Sequence, residues 1–290
     1  MAYRILVWNC NGIANSVTRR NLLDVVRKER PRLIFLAETL CDKKQIDTLK
    51  IKIGFDHALV KEKGQFSQGL ALLWMNEVPV HIHHYSARHI DAWIGAPGDP
   101  DRWRFTGIYG YASTARRNIT WNLMRHLHSE SDLPWIIVGD FNELLCSREK
   151  TGGASRRVSQ MNEFRAAVAD CSLRDMGFRG SPFTWWDHQT KELLDRSLWS
   201  ASLQALFPYS RTIHLPPGDS DHIPLLVELG RTPFLQRQQV KRGFRFEEFW
   251  ARHGDCDAIV TKGWATPVTD DPMKQVCLKI SSQIYKDEDC

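Results

Sequence analysis

The sequence has no cysteine framework. Its seven Cys are scattered, with neither CxxC nor Cys/His spacing, which argues against a structural zinc site or disulfide scaffold and suits a reducing compartment. Long apolar runs are also missing. Nothing approaches the ~18 consecutive apolar residues of a membrane span, and "MAYRILVWNCNG" carries Arg4 and turns polar by Asn9, too soon for a secretory h-region. No membrane association is expected, and the expected location is nuclear or cytoplasmic. Internal repeats and low-complexity tracts are absent. Charge of one sign is in only modest excess: the net charge of +5 permits contact with a phosphate backbone without requiring it. What is present is a globular composition, 42% apolar and 25% charged, enough for one large domain or two ordinary ones. Eleven Trp is a high count, suited to core packing or to stacking on nucleic acid.

Short apolar runs bounded by Gly, Pro, Asn or Asp predict strands at Ile5–Trp8, Leu33–Ala37, Leu70–Met75, Val80–Tyr85, Phe105–Tyr109, Trp135–Val138 and Ile223–Leu229. Helical spacing appears over 18–31, with Thr18 as N-cap and Pro31 as stop, and over 114–129 and 159–171. Strands with interspersed helices suggest two packed sheets flanked by helices. After Leu229 the character changes: "GRTPFLQRQQVKRGFRF" holds five basic residues and no acid. A boundary is therefore expected near 230, with a basic linker and partial helical tail over 231–290 that reads as part of a larger architecture.

Polar residues fall where these runs end. Asn9 closes "RILVWN", Glu38 closes "LIFLAE", Asp140 closes "WIIVGD" with Asn142 two residues on, and Asp221 and His222 precede "IPLLVEL". Side chains at adjacent strand ends can converge on one cleft, and carboxylate and amide oxygens suit Mg²⁺ or Mn²⁺ rather than zinc. Any one of these residues has a plainer reading. "GDSDHIPL" is also a polar turn, Asn9 and Asn11 also shape the turn at Gly12, Tyr109 also packs a core, and Asp195 also pairs with Arg196 at a surface. The joint pattern is what points to chemistry.

"WNCNG", "LAET", "GIYGY", "GDFNE", "LLDRSL" and "GDSDHIPL" follow one another in the order and spacing of the endonuclease/exonuclease/phosphatase superfamily, the DNase I-like fold, which residues 3–229 resemble. "GDFNELL…EKTGG", "LRDMGFRGSPFTWWD", "LLDRSLWS" with "LFP", and "GFRFEEFWARH" resemble endonuclease domains of plant non-LTR (LINE-type) retroelements, the last stretch being similar to their connector to reverse transcriptase. The resemblance implies an α+β fold, a four-layer α/β/β/α sandwich of two mixed sheets flanked by helices, and an enzyme that hydrolyses phosphodiesters by in-line attack of water.

In this reading Glu38 binds Mg²⁺ (or Mn²⁺), helped by the amide oxygen of Asn9, with Asp221 near the metal or leaving group. Asp140 orients or deprotonates the water and Asn142 holds it in place. His222 stabilises the scissile phosphate, Asp195 keeps His222 protonated and oriented, and Tyr109 donates to a phosphate oxygen. DNA, the expected partner of a monomeric enzyme, is met by Asn11, by the basic pairs Arg116–Arg117 and Arg156–Arg157 (with Arg19–Arg20), and by Trp185 as a wedge or stacking platform. The same fold also carries abasic-site repair nucleases and phosphatases. A catalytically dead retroelement fragment that only binds nucleic acid is the alternative of another class. Three departures from the pattern bear on activity. Ala112 stands where many relatives have Asn, Leu193 replaces a basic residue, and Asp219 adds a carboxylate expected to raise the proton affinity of His222 and perturb the metal.

Overall fold

The computed structural model describes residues 3–65, 67–234 and residue 261. In chain order the elements begin β1 (Tyr3–Asn9), α1 (Ser16–Glu29), β2 (Leu33–Ala37), α2 (Lys43–Ile53), β3 (His57–Lys61), β4 (Leu70–Trp74), β5 (Val80–Tyr85), β6 (His89–Ile94) and β7 (Trp103–Tyr109). They continue with α3 (Arg117–Ser129), β8 (Trp135–Asp140), β9 (Lys150–Thr151), α4 (Val158–Asp170), β10 (Leu173–Asp175), β11 (Trp185–Trp186), β12 (Lys191–Glu192), β13 (Asp195–Ser200), α5 (Ala201–Leu206), β14 (Arg211–His214) and β15 (Leu225–Leu229). One compact unit ends at Phe234. Apart from residue 261, the tail expected over 231–290 lies outside the described residues from 235 onward. No helix among the described residues is long and apolar enough to cross a membrane.

Two six-stranded mixed sheets face each other, in the orders β14-β15-β1-β2-β4-β3 and β10-β13-β8-β7-β6-β5. Each has one parallel pair at its centre, β1 with β2 and β7 with β8. These strands are buried on both faces, which is why they read as unbroken apolar runs rather than alternating ones. Alternation still decides which layer each side chain joins. Ile5, Val7, Leu33, Phe35, Phe105, Ile136 and Val138 fill the space between the sheets. Leu6, Trp8, Ile34 and Leu36 pack outward with Leu22 and Val26 of α1 and Ile46 and Leu49 of α2. Ile108 and Ile137 pack outward with Trp121 of α3 and Phe164 of α4. The result is the α/β/β/α sandwich. The sheets approach closely at Gly107, where an added Cβ would lie 2.3 Å from the Phe35 ring.

The helix expected over 18–31 begins earlier. Asn15 is its N-cap, accepting from the Val17 N–H, and Thr18 is buried inside its first turn. Its end is set by Arg30 in the left-handed conformation, just before Pro31. The helix α2 carries a full capping box, Asp42 with Gln45, at its start and Gly54 at its end.

Candidate active site

The inward-facing positions of the central strands run apolar and then end polar. Ile5 and Val7 lead to Asn9, Phe105 and Gly107 to Tyr109, and Ile136 and Val138 to Asp140. Period-2 alternation therefore aims all three polar side chains into the gap between the sheets at one end of the sandwich. Register completes the group. Asp140 lies opposite Tyr109 on one side and Asp195, first residue of β13, on the other. Glu38 follows β2 directly, with φ +52°, and His222 arrives on the segment between β14 and β15.

Asn9 is the hub. Its Nδ2 donates to Glu38 Oε1 at 2.8 Å and to Asp140 Oδ2 at 3.1 Å, and lies 3.3 Å from His222 Nε2. The nitrogen, rather than the expected oxygen, faces the carboxylates, and Asn9 Oδ1 is buried with no partner. Asn142, at φ +55°, clamps Asp140: its backbone N–H donates to Oδ1 at 2.8 Å and its side chain to Oδ2 at 3.0 Å. His222 Nδ1 meets Asp195 Oδ2 at 2.8 Å, and its Nε2 lies 3.8 Å from Asp140 Oδ2.

These contacts set the charges. Burial works against protonation of His222, but the Asp195 and Asp140 carboxylates outweigh it and push its pKa up to about 10. Burial raises Asp140 well above the usual carboxylate range, with His222 and the Asn142 and Asn9 donors pulling the other way. Burial, then Glu38, raises the Tyr109 phenol, which hydrogen-bonds Glu38. Asp140, Asp195 and His222 are close enough together to resemble a metal cluster. However, an imidazolium whose Nδ1 proton is held by a carboxylate is a donor, not a ligand. Glu38 instead offers the carboxylate oxygen that suits a hard divalent cation, and Asn9 joins it as an oxygen donor only with its amide turned over, since Nδ2 faces Glu38 while Oδ1 is buried without a partner.

The "GDSDHIPL" stretch is pinned from several sides. Ser220 Oγ donates to the Asn9 carbonyl and accepts from the His222 N–H. The indole of Trp8 donates to the His222 carbonyl at 2.9 Å. Asp221 accepts from Asn11 Nδ2 at 3.1 Å and from the Trp185 indole at 2.9 Å. Trp185, expected as a DNA wedge, is half-buried and holds Asp221 in place, and Asn11 is tied to the same carboxylate. Asp219 turns away from His222: it accepts from Asn15 Nδ2 at 3.1 Å, beside the start of α1. Asp195, Asp140 and Asp221, rather than Asp219, are the carboxylates that most raise the proton affinity of His222.

The basic pairs split. Arg116 and Arg157 are exposed. Arg117 is buried on Glu143, and Arg156 is drawn inward by Glu143 and Glu192, so neither is an open groove cation. Leu193 is buried as well. Asp195 and Arg196 do not pair at a surface: Asp195 faces His222, while Arg196 meets Glu149 and Asp175.

Three contributors had no local signal in the sequence. Trp8 sits on the outward face of β1. Thr184 is buried, its Oγ1 accepting from the Leu194 and Asp195 N–H groups at 3.0 Å. Arg88 places its guanidinium 4.9 Å from the Tyr109 ring and 4.1 Å from that of Tyr111.

Residues 6–222 match the family described as Endonuclease/Exonuclease/phosphatase. No curated protein matches the sequence. Among solved structures, the fold is similar to the endonuclease domain of TRAS1, a telomere-specific non-LTR retrotransposon, with TM-score 0.61 at 10% identity over 79% of this chain and 99% of that one. It is also similar to the AP endonuclease LMAP from Leishmania major, with TM-score 0.62 at 16% identity over 80% and 88%. A 3'-5' exonuclease from Neisseria meningitidis gives TM-score 0.60 at 15% identity over 78% and 99%.

Proposed function

Because this chain belongs to the endonuclease/exonuclease/phosphatase family, we propose that it is a Mg²⁺-dependent, monomeric DNA endonuclease of the LINE type that nicks one strand, acting in the nucleus or cytoplasm. The observation that carries this reading is the convergence of Asn9, Glu38, Asp140, Asp195 and His222, from both sheets, on one cleft. The LINE-like motifs and the fold shared with a retrotransposon endonuclease domain support DNA as the substrate.

Glu38 and Asn9 would hold the divalent cation, which when bound supplies neutralisation of charge on the phosphate and the leaving oxygen. Asp140, desolvated and clamped by Asn142, is poised to orient a water and take its proton. The His222 imidazolium donates from Nε2 to a phosphate oxygen as negative charge develops, and Asp195 keeps that proton in place. Asp221, fixed by Asn11 and Trp185, would act near the metal or the leaving group. Tyr109 offers its hydroxyl to a non-bridging oxygen.

Plasmid nicking by the purified protein tests this. Wild type should convert supercoiled to open-circular DNA with Mg²⁺ and not with EDTA. Asp140→Asn and His222→Ala should each lose roughly 10²–10⁴-fold. Equal nicking by all three proteins would sink the assignment. Salt-sensitive DNA retention without nicking supports the binding-only fragment. Faster cleavage of an abasic oligonucleotide than of intact duplex supports a repair nuclease.

A further inference from the structure

Glu38 reaches the cleft against the direction of its own strand. Along β2, Leu33, Phe35 and Ala37 face the space between the sheets, while Ile34 and Leu36 face the helices. Strict alternation would send the next side chain, Glu38, outward toward α1 and α2. Instead its carboxylate accepts from Asn9 Nδ2, inside the cleft, at 2.8 Å. What turns it is the backbone. Glu38 and Leu40 both sit at φ +52°, in the left-handed region, with Thr39 between them. Neither is glycine, so both carry a steric penalty that neighbouring segments must offset.

Two segments hold this turn, one on each side. After β1, the Gly12 N–H donates to the Glu38 carbonyl at 2.8 Å and the Ile13 N–H to the Thr39 carbonyl at 3.1 Å. In the connection between β3 and β4, the Gly69 carbonyl accepts from the Thr39 N–H at 3.1 Å. The Gln68 carbonyl accepts from the Leu40 N–H at 2.9 Å. That connection is itself fixed. Ser67 exchanges backbone hydrogen bonds with Gly64, and its Oγ accepts from the Gly69 N–H at 3.1 Å. Leu70, the next residue, pairs with Ala37, which sets Gly69 level with Glu38.

The contact at Gly69 has no slack. Thr39 is fully buried, and its Oγ1 has no hydrogen-bond partner among the described residues. A Cβ added to Gly69, itself at φ +91°, would stand 2.3 Å from that Oγ1 and 3.2 Å from the Leu40 backbone nitrogen. In a close-packed surround the threonine cannot swing clear, so a side chain at 69 must displace the turn that aims Glu38. We propose that Gly69, braced by Ser67, is the positioning residue that turns Glu38 into the cleft and thereby sets the affinity of the site for its divalent cation. The cation half of this inference rests on the proposed role of Glu38; the aiming of its carboxylate does not.

Gly69→Ala tests it, with Gly54→Ala as the matched control. Gly54 is also left-handed, at φ +76°, but an added Cβ there meets nothing within 4 Å, at the end of α2. Both variants place alanine at positive φ, and only Gly69→Ala pushes on Thr39. Two readouts on the full chain separate aiming from stability. One is a crystal structure without metal, and the other is Mn²⁺ binding followed by the paramagnetic resonance of the free ion. In Gly69→Ala the Glu38 carboxylate should leave Asn9, and the Mn²⁺ dissociation constant should rise about 10–100-fold. Gly54→Ala should match wild type in both. Ser67→Ala removes a hydrogen bond without adding bulk and should weaken Mn²⁺ binding by less. If Gly69→Ala does not fold, a Ser67→Ala protein identical to wild type in both readouts overturns the inference. A Glu38 that keeps its place beside Asn9 in Gly69→Ala also overturns it. So does an Mn²⁺ affinity equal to that of Gly54→Ala when Glu38→Gln weakens binding. If Glu38→Gln itself leaves Mn²⁺ affinity unchanged, the cation role of Glu38 fails, and the crystal structure decides whether Gly69 aims the carboxylate.

Discussion

Asp195 and Arg196 are adjacent in the chain and opposite in duty. The strand pleat sends one toward His222 and the other toward Glu149 and Asp175. The carboxylate at 2.8 Å is what keeps His222 charged against its burial. Removing that charge with Asp195→Asn should lower the His222 pKa and reduce nicking by roughly 10²–10⁴-fold. The loss should deepen as pH rises from 6 to 9, because His222 then gives up its proton within that range. A pH–rate profile checks this, and a loss equal at every pH would show that Asp195 acts otherwise. Arg117 makes the complementary point about burial. Because it is sealed on Glu143, Arg117→Met would leave that carboxylate with Arg156 as its one remaining cation and should destabilise the protein in urea unfolding, by less than the roughly 3–5 kcal/mol of a fully unpaired buried charge. A groove-facing arginine would instead change DNA affinity and leave stability alone.

At the scale of elements, caps and turns rather than propensity decide where chain segments begin. α1 starts at Asn15, whose side chain both caps the helix and holds Asp219 from the far end of the domain. Asn15→Ala should therefore cost about 1 kcal/mol from the cap alone, measured as a shift in the denaturation midpoint. Thr18→Ser, inside the helix, should cost less. An equal cost at both positions would mean that the cap is not where the structure puts it. The short strands β11 and β12 work in a similar way. Too short to be stable alone, they brace the His222 segment through the Trp186 N–H on the Asp221 carbonyl and the Ile223 N–H on the Thr184 carbonyl.

For the whole molecule, the response to acid follows from histidines shut away from water. Burial, then His84 and Arg104, lowers His89 to about 3 from its ordinary value of 6.5. Below pH 6.5 the unfolded chain takes up a proton that the folded one refuses, so stability is full above that pH and falls toward pH 3. The slope contributed is about 1.4 kcal/mol per pH unit at most. Urea midpoints at pH 7.5 and 5.5 should thus fall further for wild type than for His89→Gln. Identical losses would mean that His89 accepts its proton inside the fold.

The strands of both sheet centres were legible in the sequence because they are buried on both faces and so are apolar along most of their length: Leu33–Ala37 appears where it was expected, and Trp135–Val138 forms most of β8. The ends of those runs likewise announced Asn9 and Asp140, since period-2 alternation carries the inward face to its polar terminus, while Glu38 follows β2 in a left-handed turn. Strands such as β6 and β13 were not legible. Asp91, Arg104 and Arg196 are buried within them or their neighbours by pairing with each other or with other charges, and a sequence read residue by residue treats such charges as surface. The same limit explains Arg117 and Arg156, and also Trp185. The sequence by itself determined the central strands and the polar side chains that close them. Only the tertiary structure decided which charges face the cleft and which are spent on each other, because that depends on partners brought together from distant segments of the chain.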